Sequence, residues 1–232
     1  MKFFLLLILS ACAFAQLERP LVGVMLDQNG DARPVLGAAA SATLGDAIWH
    51  GVLSMECLSR GCLAKTAAAL VSTNGEAADA PGGPAIFGGA YVYFSTSEQL
   101  ARWHEGILEP QAFAADGELL ALRPEGDGVD CAVERNGATW IEHWSYTDNS
   151  LRVVALLGAA SAAMFAGETT LLAAADAVHL FRADGSDTVV PVPGVRAFVR
   201  MSGGCVEFVT SQGMWVFDLA RGSVALLPGV AE

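Results

Sequence analysis

The chain has 232 residues, a formal net charge of −12 and a hydrophobic content of 53%. Binding to nucleic acid needs a basic face that displaces counterions from the phosphates, so this charge argues against a nucleic-acid partner. It equally disfavours docking on anionic lipid headgroups. The length suits a single domain with a sizeable core.

Residues 1–15 have the organisation of a secretory signal peptide. Met1-Lys2 is a short basic start, an apolar run follows, and Ala13-Phe14-Ala15 gives the small-x-small pattern of a cleavage site. The apolar run is too short to be a stable membrane-spanning helix. We therefore expect a secreted or periplasmic protein with one domain at residues 16–232 and no membrane span.

A second interpretation of the leader stays open. Leu9-Ser10-Ala11-Cys12 resembles a bacterial lipobox, in which the cysteine is lipidated and becomes the mature N-terminus. The protein would then be a lipoprotein anchored through Cys12.

After the leader, the sequence predicts a β-hairpin. Two apolar runs, residues 20–26 and 33–37, flank Asn29-Gly30, which is a strong hairpin-turn signal. The acidic residues around this turn resemble the start of a calcium loop. Ala32 and Ala38, however, stand where an EF-hand needs glycine and glutamate. We predict a turn and no metal site.

Five repeats of four short strands follow the hairpin. Glycine-rich turns separate the strands, because tight hairpin turns need positive φ angles. In the last repeat these turns contain Gly203-Gly204, Gly213 and Gly222. The predicted repeats cover residues 52–80, 84–113, 118–156, 162–192 and 195–227.

The ends of the last three repeats set the period. Leu156-Leu157-Gly158, Val192-Pro193-Gly194 and Leu227-Pro228-Gly229 place their glycines 36 and 35 residues apart. That is the length of a four-stranded propeller blade, which must stack on its neighbours to bury both faces. We predict an all-β propeller of four-stranded antiparallel blades, six in number with the N-terminal one incomplete. Five blades with a capping hairpin are the alternative.

The cysteines divide into two groups. Cys57 and Cys62 flank a segment that could close a short hairpin, so a disulfide between them is a candidate in an oxidising compartment. Cys131 and Cys205 lie in blades that have another blade between them, and we expect buried free thiols there.

Aromatic residues and histidines supply the candidate binding residues. Exposed aromatic side chains on strands stack on sugars or anchor protein partners, although such residues also pack between blades. The candidates are Trp103, His104, Trp140, His143, Trp144 and Tyr146.

Motifs of catalysis and cofactor binding are missing. The chain has no Gly-x-Ser-x-Gly elbow, no His-Glu-x-x-His pair and no dinucleotide-binding glycine motif before a helix. No catalytic residue, metal ligand or cofactor is therefore predicted.

The repeat ends, together with Arg19-Pro20-Leu21-Val22-Gly23 and Arg33-Pro34-Val35-Leu36-Gly37, resemble bacterial secreted β-propeller-like repeat proteins of uncharacterised function. The Gly-His and Trp-Asp dipeptides of WD40 blades are absent. The resemblance implies a shape and supplies no site residues.

The sequence favours a non-catalytic binding or scaffolding module that presents propeller loops to a protein or carbohydrate partner. The alternative is an extracytoplasmic enzyme, a lyase or hydrolase, with its site in the axial channel.

The predicted signal peptide implies a mature protein with a defined N-terminus. Intact-mass spectrometry of the exported protein is expected to give the mass of a chain that starts at Gln16. A diacylglycerol-modified chain starting at Cys12 would instead establish the lipoprotein.

Overall fold

The computed structural model describes residues 21–37, 42–58, 61–201, 204–211 and 213–226. The predicted leader, the lipobox cysteine Cys12 and the terminal Leu227-Pro228-Gly229 lie outside these residues. Within them the chain forms 23 strands in six antiparallel sheets, each of which is one blade.

The blades follow one another in the order of the chain, and each is built from consecutive strands. Blade 1 comprises β1 Leu21–Leu26, β2 Ala32–Leu36 and β3 Thr43–Leu44. Blade 2 comprises β4 Ser54–Leu58, β5 Gly61–Lys65, β6 Ala69–Ser72 and β7 Ala77–Asp79. Blade 3 comprises β8 Ala85–Gly88, β9 Tyr91–Phe94, β10 Gln99–His104 and β11 Ile107–Gln111.

The three remaining blades complete the molecule. Blade 4 comprises β12 Glu118–Glu125, β13 Gly128–Arg135, β14 Ala138–Ser145 and β15 Ser150–Leu157. Blade 5 comprises β16 Ala162–Ala166, β17 Thr169–Ala173, β18 Val178–Arg182 and β19 Asp187–Val190. Blade 6 comprises β20 Val195–Arg200, β21 Cys205–Thr210, β22 Gly213–Asp218 and β23 Ser223–Leu226.

The first strands of blades 2–6 surround the propeller axis. Each contacts the next around the circle, and β20 of blade 6 contacts β4 of blade 2, which closes the ring. These strands run in the same direction. The Ser54 hydroxyl accepts a 2.8 Å hydrogen bond from the Ala85 amide, and Ser161 Oγ donates to the Val195 carbonyl at 3.1 Å. Both bonds join the start of one inner strand to the start of the next.

Blade 1 is the incomplete blade, as predicted, and it packs between blades 6 and 2. Met25 joins a cluster with Met201 and Met214 of blade 6, whereas Val24 packs in a cluster with Met55 of blade 2. The two-residue strand β3, which pairs with β2, was not predicted. So short a strand has no periodicity of its own, and only its partner strand defines it.

A hydrophobic cluster fills each junction between neighbouring blades. The described residues form six such clusters. Between blades 5 and 6, Phe208 stacks on Phe217 at 5.6 Å and meets the edge of Phe198 at 5.3 Å. Burying a large apolar side chain of this kind contributes about 1.5–3 kcal/mol, so each junction stabilises the packing of its two blades.

The predicted turn at Asn29-Gly30 is present. Gly30 has φ 77°, and one carboxylate oxygen of Asp27 accepts hydrogen bonds from the Asn29 and Asp31 amides at 2.9 Å. The other oxygen lies 2.8 Å from Arg33 Nε. The carboxylate therefore organises a hairpin turn.

The cysteines occupy the two environments that the sequence distinguishes. Cys57 and Cys62 lie opposite each other in the β4–β5 hairpin and are joined by a disulfide. Cys131 is a buried free thiol, whereas Cys205 is a free thiol that is only partly buried.

A substitution at Gly88 of β8 tests how closely the inner strands β8 and β12 pack. A Cβ atom built there would lie 2.1 Å from a methyl carbon and 2.4 Å from the carbonyl oxygen of Leu122 in the next blade. We expect Gly88→Ala to lower the free energy of unfolding by about 1–3 kcal/mol through overpacking. Gly158→Ala is the matched control, because a Cβ there meets nothing within 4 Å. Chemical denaturation measures both, and equal stabilities would contradict the packing.

Candidate functional site

The candidates on β10 lie in different environments. Trp103 is buried in the cluster between blades 2 and 3, together with Leu70 and Phe94. His104, the next residue, is exposed, as alternation along a strand requires. Trp103 is therefore part of the core.

Trp144 and Tyr146 lie between blades 3 and 4. Phe113 meets Trp144 edge-on at 5.8 Å, and Tyr91 stacks on Tyr146 at 5.9 Å. Burial raises the pKa of the Tyr146 phenol, which keeps it neutral. Both rings make packing contacts between blades.

Trp140 lies near the start of β14, four residues before Trp144, and is half-buried. The Arg135 guanidinium covers one face of its ring, with a carbon-to-centroid distance of 4.4 Å. Arg135 also forms an ion pair with the buried Glu142, which lies two residues along β14. The six candidates are thus distributed over two blade junctions, an exposed position on β10 and further positions on β14, and their binding role stays a prediction.

His143 belongs to a polar network at the β12–β13 turn. Its Nδ1 lies 2.9 Å from a carboxylate oxygen of the buried Asp130, and its Nε2 lies 3.5 Å from Asp127. Hydrogen bonds from hydroxyl groups, the strongest from Ser145, lower the pKa of Asp127. Arg123 pairs with Asp130 at 2.9 Å and donates to the Gly167 carbonyl of blade 5 at 2.7 Å. The network connects two blades through charged groups that satisfy one another.

Blade 4 carries an exposed apolar strand at its outer edge. Its strands have eight residues, against two to six in the other blades. β15 is the last strand of its sheet, and Leu151, Val153, Val154 and Leu156 are 42%, 50%, 55% and 57% exposed. We call these four residues the outer-strand surface. Leu151 and Leu156 lie opposite Trp144 and Trp140, so the surface adjoins two of the aromatic candidates.

The propeller axis contains a cavity of about 700 Å³ between the inner strands. Half-buried apolar side chains line its middle, one from each of blades 3 to 6: Ile86, Leu120, Met164 and Phe198. Charged side chains lie towards its two ends. Glu98, Glu118 and Arg196 lie at the end where the inner strands begin. Glu56 and Arg200 lie further along the inner strands.

The carboxylates of Glu56 and Glu207 are both buried, and Glu56 is the one of the two that lines this cavity. Glu56 accepts a 2.9 Å hydrogen bond from the Gly89 amide and lies 3.3 Å from Arg200 Nε. Burial raises the pKa of Glu56 despite this arginine. Burial also raises the pKa of Glu207 to about 8, and the Leu26 amide, 3.4 Å away, only partly opposes the shift. Glu207 therefore remains protonated at neutral pH in the folded protein.

Sequence reasoning missed Glu56, Arg200 and the outer-strand surface. A single charge within an apolar strand, as in Met55-Glu56-Cys57, is the signal for the first two. The sequence predicts residues 151–156 only as the last strand of their repeat. No sequence signal showed that it lies at an exposed edge.

The described ranges contain neither a metal-binding cluster nor a membrane-spanning helix. There, no three His, Cys, Asp or Glu side chains come together in a way that would hold a metal ion. Nor does any described segment form a helix with the length and hydrophobicity that a bilayer crossing requires.

No protein-family model matches the chain, and no curated protein matches it in sequence. Solved structures do resemble it. A chain of a nidogen–laminin complex has a TM-score of 0.62 at 12% identity, with 87% of this chain and 91% of that chain covered. PorZ, a surface component of the type-IX secretion system of Porphyromonas gingivalis, has a TM-score of 0.56 at 12% identity. That match covers 93% of this chain and 39% of PorZ.

A third similar structure is the Pan2 WD40 domain of Neurospora crassa, with a TM-score of 0.51 and 10% identity. It covers 92% of this chain and 81% of the WD40 domain. Identities this low show a common propeller fold and carry no residue-level relationship.

The buried Glu207 predicts a pH-dependent stability. Its folded-state pKa is about 8, against an ordinary glutamate pKa of 4.5, so the folded protein holds a proton that the unfolded chain releases between these pH values. Stability therefore falls as pH rises through this window. Glu207→Gln removes the titration and is expected to stabilise the protein by about 3 kcal/mol more at pH 8.5 than at pH 5.5.

Urea denaturation at both pH values measures the difference. The exposed Glu125→Gln is the control and should leave the pH dependence unchanged. A Glu207→Gln protein with the same pH profile as the parent would show that Glu207 is ionised in the fold.

Proposed function

We propose that the protein is an exported, non-catalytic binding module that contacts a protein partner through its outer-strand surface. The observation that carries this proposal is the eight-residue edge strand β15 with its four exposed aliphatic side chains. Scattered apolar residues are normal on protein surfaces, but a contiguous group of them marks an interaction site.

Strand addition is the binding mode that fits this edge. β15 uses one side of its backbone to pair with β14, and no described strand pairs with its other side, which can accept an incoming strand. An extended segment of a partner can form main-chain hydrogen bonds there and place its apolar side chains on Leu151, Val153 and Leu156.

The exposed Arg152 defines the chemistry of the partner segment further. It is the only charged side chain of β15, and it stands between Leu151 and Val153. A carboxylate on the partner, opposite Arg152, would fix the register of pairing. The partner is thus an extended, apolar segment with one acidic residue.

The aromatic side chains among the candidate residues support a protein partner over a carbohydrate. Stacking on sugars needs open aromatic faces. Arg135 covers one face of Trp140, and Trp103 is buried in the core.

The contacts of the axial cavity also support binding over hydrolysis. Two of its serines have structural partners: Ser54 accepts from the Ala85 amide, and Ser161 donates to the Ala173 and Val195 carbonyls. The described lining contains no histidine to activate a hydroxyl.

A matched pair of double variants tests the proposal. The purified protein, immobilised, is used to capture partners from the native envelope fraction, and captured proteins are quantified by mass spectrometry. Val153→Lys with Leu156→Lys is expected to reduce capture of the specific partner at least tenfold, because it places charge in the apolar contact.

The control is Val189→Lys with Val224→Lys, which changes two exposed aliphatic residues on the outer strands of blades 5 and 6. It should retain capture. Equal capture by both double variants, or equal loss in both, would contradict a specific role of β15.

A further inference from the structure

The axial cavity has the properties of a small-molecule site that is separate from the outer-strand surface. Its volume of about 700 Å³ lies within the range of about 300–1,000 Å³ found for ligand sites. Such sites combine a largely apolar wall with a few fixed polar groups. Both elements are present here.

The apolar wall comes from four blades. Ile86, Leu120, Met164 and Phe198 are half-buried, so part of each side chain remains in contact with the cavity that it lines. An aromatic or aliphatic body of a ligand would cover these surfaces and release the water that now contacts them.

Arg200 is the fixed polar group. It is the last residue of β20, and 31% of its side chain is exposed. Its Nε lies 3.3 Å from Glu56, and its Nη2 donates to the Phe165 carbonyl on blade 5. These two contacts hold the guanidinium in place before any ligand arrives.

The contacts of Arg200 determine which charge the ligand carries. A guanidinium has five N–H donors, and the Phe165 carbonyl engages one of those of Arg200. Nε lies 3.3 Å from Glu56 in an ion pair but donates no hydrogen bond to it. The remaining donors can bond an acceptor, and charge-assisted bonds to an anion are the strongest of these. Glu56 is already engaged by Arg200 and the Gly89 amide, so the acceptor comes from the ligand.

The charged side chains at the opposite end of the cavity disfavour a ligand with several negative charges. Glu118 is the first residue of β12, and Glu98 lies in the turn after β9, which is antiparallel to β8. Both therefore lie where the inner strands begin, at the same end of the cavity as Arg196. Two carboxylates against one guanidinium repel a multiply charged anion on entry.

We propose that the axial cavity binds a small organic monoanion with an apolar body. The body contacts Ile86, Leu120, Met164 and Phe198, and the anionic group binds the guanidinium of Arg200. This inference does not rest on the outer-strand surface, and either proposal can fail without the other.

Two fluorescent probes test the site. 8-Anilinonaphthalene-1-sulfonate has an aromatic body and one negative charge, whereas N-phenyl-1-naphthylamine has the same rings and no charge. The folded protein is expected to bind the sulfonate saturably at one site per chain, at least tenfold more tightly than the neutral probe. Absence of binding, or equal affinity for both probes, would overturn the proposal.

Variants locate the bound probe. Ala197 is exposed and lines the cavity, so Ala197→Trp should fill the cavity and reduce sulfonate affinity at least tenfold. Arg200→Gln should reduce sulfonate affinity about tenfold and leave the affinity for the neutral probe unchanged. A cooperative unfolding transition checks that each variant is folded, and Ala197→Trp decides the outcome if Arg200→Gln fails this check.

Val154→Asp on the outer-strand surface is the control, and it should bind both probes as the parent does. Loss of sulfonate binding in this variant, with binding retained in Ala197→Trp, would place the probe on β15 and overturn the proposal.

Discussion

Each blade of this propeller has two apolar faces, and both must be covered by neighbouring blades. A four-stranded meander cannot do this by itself, and a linear stack would leave one bare face at each end. The ring removes the two ends. Six hydrophobic clusters within the described residues, one at each junction, show that every face is covered. The circular closure is therefore the condition on which the other features depend.

Closure explains the position of the incomplete blade. Blades 2 and 6 meet directly at the axis through β4 and β20, but their outer parts diverge. The three strands of blade 1 fill this divergence, with Met25 and Val24 packing towards opposite sides.

The junction of blades 1 and 6 also buries the carboxyl group of Glu207 without a compensating positive charge from the described residues. The described residues offer Glu207 the Leu26 amide but no ion-pair partner, so a proton neutralises it instead.

The closed ring leaves two kinds of surface for function. The outer edges of the sheets cannot be covered by neighbouring blades, and blade 4, with the longest strands, exposes the most apolar edge. The axis is the second surface, because the inner strands cannot meet at a point. A cavity remains there, and Arg200 and Glu56 are held in it by contacts that involve four blades. The two surfaces use different residues.

The sequence by itself determined the fold class, the blade period and most strand positions. These features rest on local signals: apolar strands of four to eight residues and glycines where turns need positive φ, such as Gly30. It also showed that Cys57 and Cys62 could face each other, since both lie in one hairpin.

Only the tertiary structure decided which side chains meet the axis, an edge or a junction. Trp103 and Val153 occupy similar apolar strands in the sequence, yet one is 9% exposed and the other 50%. Strand periodicity indicates the face of a sheet on which a residue lies. It does not indicate whether a neighbouring blade reaches far enough to cover that residue, because this depends on the lengths of strands dozens of residues away.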